Sequence, residues 1–571
     1  MKEFFPIIAI TLVGLAIRCY TADWGSLSGD EANCVAIAVT GSWADMVQHI
    51  REDGNAPLYY ALIRLFSQIF GSGDFPLRLI NVLLSTSLVP VVYALLRKDR
   101  VLALQSALMV ALCPTLVRWG NIVRMYSLLP VLSVVGTVCA VRLMQEPANK
   151  RLRIAHPFLA ASLMYIHHWG FFVLFGQAGL ALVGLIRRWW SVRSLVPWGI
   201  GMALAVVAYL PWVPSMYFIL THDESPWAKT PPPTYLFIET PLQMLIGDMS
   251  ASNPWDEASM IYATIWVLFM VFYAGCAVAR RSTDSSSSGE QAALVVDGTG
   301  WSRFKPSSAR VTLTVACIRY VVLSGMLAAF LSSSFKPAWR DRYLMSFAPL
   351  VLLVLCLMLR RYVPSRNRLI IYCFPALLWL PVWTPEWLAL AFGSESSTHE
   401  IVAKIKAEIH PSQDLVVVSY EAAAPAFSRM LPEDVKLISL PDLERVSIVK
   451  WAGINERLRD DSRMLELFER MKEVLDSGGV IWLVDAARTT PVTGQPGHFP
   501  VGGFDFRELM VVRMGQVRNW LQTHAEQQDV FLWGPGRDLS LFLSSYVAKP
   551  VQERDEPGSR PGSAQDSSPR E

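Results

Sequence analysis

Apolar runs of about twenty residues recur through the first 390 positions, and no other feature constrains the fold of this chain as strongly. A run of that length crosses the hydrocarbon layer as a helix, because backbone amides and carbonyls inside lipid must pair within their own segment. Spans are predicted at 4–22, 77–96, 101–118, 125–144, 154–168, 169–186, 195–220, 258–279, 311–334, 343–360 and 369–391, about eleven in all. Composition agrees: 52% of the 571 residues are hydrophobic and 17% charged, with a mean hydropathy of +0.33. These values lie outside the soluble range. The segment 4–17 follows Lys2 like a secretory signal, but Arg18 and Cys19 come directly after it and no small-x-small cleavage site follows, so it reads as an uncleaved span.

The net charge of +3 says little, whereas its distribution sets an orientation. With a cytosolic N-terminus, the connections 97–100, 142–153, 187–193, 280–310 and 360–368 hold 19 Lys and Arg, against about 8 at the opposite side when Arg118 at the end of its span is included. That is the positive-inside asymmetry. An odd number of spans then places the C-terminal region outside the cytosol, and no nucleic-acid partner is expected. The stretch 280–310 is a Ser- and Gly-rich cytosolic linker. The loop 221–257, with Pro231 to Pro233 and the aromatic residues Trp227, Tyr235, Phe237 and Trp255, is expected to cover part of the outer face. Most of the eight cysteines sit inside apolar runs with no CxxC, which reads as packing and not as a zinc site. Cys19 and Cys34 flank the first outer loop, where a disulfide is open to them.

After residue 393 the pattern changes. Strand-like runs at 414–419, 436–440, 478–485 and 530–534 alternate with helical stretches such as 397–409, which predicts an α/β layer with a mainly parallel sheet. Its glycines form no GxGxxG, so no nucleotide site is assigned. The organisation read is a transmembrane domain over 1–392, with its first outer loop at 23–76, an extracytosolic α/β domain over 393–549, and a polar, disordered tail over 550–571.

The first outer loop is too structured for a connector. Taken as helical, 31–39 puts Ala32, Val35, Ala36 and Val39 on one face, and the segment from Pro57 does the same with Leu58, Leu62, Leu65, Phe66 and Ile69. Joined by a polar link, two such helices lie along the membrane surface and hold Asp30 and Glu31 at the water–lipid boundary. Four more clusters sit at outer ends of spans: NAPLYY (55–60), RWGNIVRMY (118–126), YIHHWG (165–170) and KPAWRDRY (336–343). Charged groups at membrane depth are costly and are usually paired or functional.

Read as chemistry, an acceptor hydroxyl needs a carboxylate to take its proton, and Asp30 is the candidate general base. Glu31 would orient it or join a metal site. Developing phosphate charge suits guanidinium forks, for which Arg124, Arg340 and Arg342 are placed, with Lys336 behind them. His167 and His168 are candidate metal ligands or polar partners. Blander readings stand beside these. Ser28-x-x-Glu31 fits a helix-capping box, Arg118 and Arg124 fit snorkelling anchors, the His pair fits a satisfied interfacial pair, and Tyr59–Tyr60 fits an interfacial belt.

In the order and spacing of the DE pair, PLYY, RMYS, HHWG and the late RY pair, residues 1–390 resemble the GT-C glycosyltransferases of the protein mannosyltransferase and aminoarabinose transferase type, especially bacterial RgtA-like members. The resemblance implies a bacterial inner-membrane enzyme that moves a sugar, with inversion, from a polyprenyl-phosphate donor to a lipid, glycan or protein acceptor on the extracytosolic side. Membrane lipids are then its surroundings. It assigns the donor phosphate and lipid carrier to Arg124, Arg340, Arg342, Lys336, Tyr59, Tyr126 and Tyr343, with polar support from His167, His168 and Asn55, and it leaves a divalent metal ion open. One departure is plain: Asn55 and Ala56 precede Pro57 where family members carry His or Lys before a proline pair, so the phosphate needs other partners. The competing functions are a lipid or glycan transporter or flippase, which should show mid-membrane helix breaks or repeated halves, and a catalytically decayed envelope-assembly protein.

Overall fold

Helix α1 (Phe5–Thr21) leads into a loop that folds as three short helices, α2 (Gly29–Val39), α3 (Trp43–Asp53) and α4 (Pro57–Phe70), before α5 (Asp74–Leu96). The computed structural model describes residues 4–22, 24, 27–222, 244, 307–333, 341–362, 398–419, 421–451, 453–486, 506–532 and 541–549. The expected spans at 258–279 and 369–391, nearly all of the aromatic loop and of the linker, the tail, Lys336 and Arg340 lie outside the described residues.

Helices α2 and α4 occupy the two stretches that the apolar spacing predicts. Helix α3 is a correction to the expected polar link. Ser42 and Asp45 exchange hydrogen bonds across its first turn, at 2.7 and 3.2 Å, and Gly54 ends it in the left-handed region at φ 76°. Only Met46 and Ile50, one turn apart, are buried, so the helix carries too thin an apolar stripe to stand out. Helix α4 turns Tyr59, Tyr60, Ile63 and Arg64 inward and leaves Leu65, Ile69 and Phe70 exposed, an apolar face suited to lipid. Ala32, Cys34, Val35, Tyr59 and Tyr60 belong to the same buried cluster as the bundle, so the loop is welded to it and does not merely float on the membrane.

A polar group inside the bundle explains how one crossing tolerates a break. Helices α6 (Arg100–Leu112) and α7 (Pro114–Asn121) meet at a 55° bend. Pro114 has no N–H to offer the carbonyl of Val110. The buried Arg18 of α1 takes over, donating Nη2 to Val110 O at 3.4 Å, Nη1 to Ala111 O at 3.1 Å and Nε to Ser85 Oγ at 2.8 Å.

The bundle continues with α8 (Leu129–Gln145), α9 (Lys150–Ile166), α10 (Gly170–Ile186), α11 (Val192–Tyr209), α12 (Val213–His222), α13 (Ser307–Ser333) and α14 (Ala348–Tyr362). Helices α10 and α13 approach closely because Gly176 presents no side chain: a Cβ there would lie 2.2 Å from Val321 O. Nine of the eleven expected spans coincide with described helices. Four of these, Asp74–Leu96, Met125–Gln145, Val192–Phe218 and Val311–Ser333, are long and apolar enough to cross a membrane. The bent α6–α7 pair makes a fifth, and Phe5–Thr21, Gly170–Ile186 and Ala348–Arg360 are shorter apolar helices. Cys19 and Cys34 are free thiols, so the disulfide open to them is not formed.

The C-terminal region is an α/β layer of α15 (Thr398–Glu408), β1 (Leu415–Val418), α16 (Ala424–Met430), β2 (Lys436–Ser439), α17 (Ile454–Arg459), α18 (Asp461–Asp476), β3 (Ile481–Ala486), α19 (Phe506–His524), β4 (Ala525–Leu532) and β5 (Leu541–Ala548). The strand order is β2-β1-β3-β5-β4. β2, β1 and β3 run parallel, while β5 pairs antiparallel with both β3 and β4. The sheet is therefore mixed where a mainly parallel one was expected, and β5 is a strand the sequence reading did not include. Alternate residues serve two cores. Val416, Val418, Trp482 and Val484 pack with α15, α16 and α17, whereas Leu415, Val417, Ile481 and Leu483 pack with α18 and the C-terminal half of α19. The expected class, a helical membrane protein with loop helices and an α/β region, is the class observed.

Candidate active site

Glu31 is the knot of the loop that follows α1. Its carboxylate lies at the start of α2 and accepts from the Ser28 N–H at 2.8 Å, from the Val123 N–H at 2.6 Å and from both Nη atoms of Arg78, with Nη2 at 3.1 Å. Both partners of the Glu31–Arg78 pair are 4% exposed. Four donors fill the two oxygens, so Glu31 ties α2 to α5 and to the link between α7 and α8 instead of facing a reactant. Arg78 also donates to Asn121 O at 3.2 Å. Nothing in the sequence marked it out from an ordinary charge at a helix end.

Asp30 points the other way. Its carboxylate is 43% exposed and receives Nη1 of Arg342 at 2.8 Å. Arg124 leaves the link that Glu31 anchors and donates Nη1 to the Asp30 backbone carbonyl at 3.3 Å. Residues 30, 124 and 342, scattered over more than 300 positions, thus share one locus.

An aromatic and imidazole wall borders it. The His167 ring lies 4.7 Å from Tyr343 and 5.8 Å from Tyr126, centroid to centroid. The Arg342 guanidinium sits 6.0 Å from the Tyr343 ring. The 167–169 turn holds His167 Nδ1 as acceptor of the Trp169 N–H at 3.0 Å, which puts any imidazole proton on Nε2. Burial, with His168, Arg124 and Arg342 adding to it, pushes the His167 imidazole well below its ordinary range, so it is neutral near pH 7. His168 Nε2 lies 3.1 Å from Gly54 O.

Two expected polar contributors have structural partners. Tyr59 is fully buried and donates its hydroxyl to Asn81 Oδ1 at 2.7 Å. Asn55 turns its amide back onto the Asp53 carboxylate. Asp53 itself is the group the sequence reading missed. It accepts from Asn33 Nδ2 at 3.1 Å and from the Tyr60 hydroxyl at 2.9 Å, as well as from Asn55. Burial raises its pKa against the opposing pull of Arg124. Its only sequence signal was an Asp-Gly pair at a helix end, which is common, and its partners come from three separate segments.

Among the described residues no group of three or more His, Cys, Asp or Glu side chains converges as a metal site requires. Glu31 and His167 Nδ1 are already engaged by protein donors.

Residues 54–214, which include α4 and the Arg124 and His167 segments, match the model of the dolichyl-phosphate-mannose-protein mannosyltransferase family. The chain is also similar in fold to ArnT from Cupriavidus metallidurans. The apo crystal structure of that protein superposes with a TM-score of 0.55 at 12% identity, covering 95% of this chain and 98% of that one. The crystal structure of the same protein bound to undecaprenyl phosphate gives 0.51 at 11% identity with the same coverage. No curated protein sequence matches the chain. Over 54–214 the chain is thus similar to the mannosyltransferase family, and it shares its fold with ArnT, a likeness to membrane glycosyltransferases of the GT-C type.

Proposed function

We propose that the chain moves a sugar from a polyprenyl-phosphate carrier to an acceptor hydroxyl at the extracytosolic face of a bacterial inner membrane, with inversion at the anomeric carbon. In this reading 1–392 is the transferase domain, 393–549 an extracytosolic α/β domain and 550–571 a tail. The excess of Lys and Arg on the connections assigned to the cytosol supports that orientation. The carrier class is suggested by the undecaprenyl phosphate in the ArnT crystal structure.

The observation that carries the proposal is the Asp30–Arg342 contact at 2.8 Å, with the carboxylate 43% exposed and Arg124 alongside. Asp30 takes the acceptor proton as the new bond to the anomeric carbon forms. The bond from that carbon to the carrier phosphate breaks, and polyprenyl phosphate departs with the electron pair. Arg342 and Arg124 receive its negative charge as fixed forks, with Lys336 and Arg340 in the adjoining segment as further cations. Tyr126 and Tyr343 wall the donor site. The exposed face of α4 lies where an isoprenoid chain would arrive.

The test is reconstitution in liposomes with a labelled polyprenyl-phosphate sugar and a mixture of lipid, glycan and peptide acceptors. Label passing to an acceptor with release of polyprenyl phosphate supports the reading. Donor crossing the bilayer with its sugar still attached supports the transporter reading instead.

A further inference from the structure

The α/β region does more than sit on the outer face, because it grips the helix that carries Asp30 at several independent points. The segment Glu421–Ala423 and α16 pack on α2. At Gly29 the approach is backbone to backbone, and a Cβ there would lie 1.9 Å from Ala422 O. Ala426 of α16 belongs to the buried cluster of the bundle itself. Arg429 pairs with Asp74 at 2.7 Å at the head of α5.

Asn33 connects this grip to the site. It is 5% exposed and lies one turn beyond Gly29 on α2. Its Oδ1 accepts from the Val449 N–H of the α/β region at 2.9 Å, and its Nδ2 donates to Asp53 Oδ1 at 3.1 Å. Asp53 Oδ2 in turn accepts from Tyr60 and Asn55, at the end of α3 and the start of α4. One carboxamide therefore spans from a C-terminal backbone amide to the loop carboxylate, and both ends of it set the roll of α2.

We propose that the α/β region is a positioning element of the transfer site, with Asn33 the residue through which its docking fixes α2 and hence aims Asp30. This rests on the reading of Asp30 as base. The lever is short. A side-chain tip about 5–6 Å from a helix axis moves roughly 1 Å when the helix rolls by about 10°. A misplacement of about 1 Å in a reacting group costs on the order of 100-fold in rate.

The experiment uses the full chain in liposomes with the lipid-linked donor, reading kcat, donor KM and backbone amide exchange over 29–39. Asn33→Asp keeps an acceptor for Val449 but sets a second carboxylate against Asp53. The expected result is a kcat lower by on the order of 10–100-fold, a donor KM within about threefold, and faster exchange in α2. Adding Asp53→Asn swaps the pair: the carboxylate at position 33 then accepts from both Val449 and the carboxamide at position 53, whose oxygen still serves Tyr60 and Asn55. The double variant should recover at least about half of the lost activation free energy. Arg429→Ala, remote from Asp30, should also speed α2 exchange and lower kcat with KM unchanged. A double variant no faster than Asn33→Asp, or an Asn33→Asp enzyme at the wild-type kcat, would overturn the proposal. Asp30→Asn run alongside separates the two readings. If it is inactive while Asn33→Asp is unaffected, only the positioning role falls; if it is fully active, the base assignment falls, whatever α2 exchange shows.

Discussion

Glu31→Gln is the sharpest probe of the knot that holds the site together. In the native chain Oε1 serves Val123 and Arg78, while Oε2 serves Ser28 and Arg78, in surroundings where both charged partners are 4% exposed. The substitution keeps size and shape but leaves one oxygen to accept, and it turns an NH2 toward donors. Breaking a buried ion pair from one side costs about 3–5 kcal/mol. A buried backbone N–H facing a donor adds about 1–3 kcal/mol. The expected loss is therefore about 4–8 kcal/mol, a large share of the roughly 5–15 kcal/mol that holds a protein folded. Equilibrium unfolding in mixed detergent–SDS micelles, followed by the fluorescence of the chain's 20 tryptophans, measures it. Removing the guanidinium as well, with Arg78→Met, should return at least about 2 kcal/mol, since a buried pair replaced by apolar groups is often near neutral. A Glu31→Gln protein within about 1 kcal/mol of wild type, well inside the ordinary range for point mutants, would refute this reasoning, and so would a double variant less stable than the single.

Three further outcomes follow from other contacts. His167 is held below its usual range, so the unfolded chain binds the proton first as pH falls: stability is intact above about pH 6.5 and declines below it by up to about 1.4 kcal/mol per pH unit from this group. His167→Gln should flatten that acid limb in a stability-versus-pH series, and an unchanged slope would contradict it. Arg18→Met withdraws two donors from the carbonyls at the α6–α7 break and should cost about 2–6 kcal/mol in the same micelle assay, at about 1–3 kcal/mol per buried orphan group. Arg342→Lys keeps the charge but loses the fork, and should weaken polyprenyl-phosphate binding by on the order of 10-fold in a vesicle binding titration, while equal affinity would remove Arg342 from the phosphate site.

What could be read from the residues, and what could not, divides along the range of the interactions. The apolar periods of α2 and α4 are local, and so is the run that makes each span, so both were visible. The convergence of 30, 124 and 342 was inferable because topology alone put their span ends on one side. Helix α3 hid because Met46 and Ile50 are its only buried side chains, although Ser42-x-x-Asp45 was a capping signal in plain view. Asp53, Asn33 and Arg78 could not be singled out at all: each is an ordinary residue in its own segment and acquires its role from a partner 20 to 416 positions away. Strand β5 escaped notice because an antiparallel strand needs no connecting helix to announce it.

The central claim is that Asp30 takes the acceptor proton, and single-turnover transfer by Asp30→Asn tests it most directly. The carboxamide keeps an oxygen for Arg342 and so preserves donor binding, while it cannot accept the proton. The account predicts polyprenyl-phosphate-sugar affinity within a few-fold of wild type and a transfer rate lower by roughly 10²–10⁴-fold across neutral pH. A single-turnover rate equal to wild type, with donor bound as tightly, would contradict it.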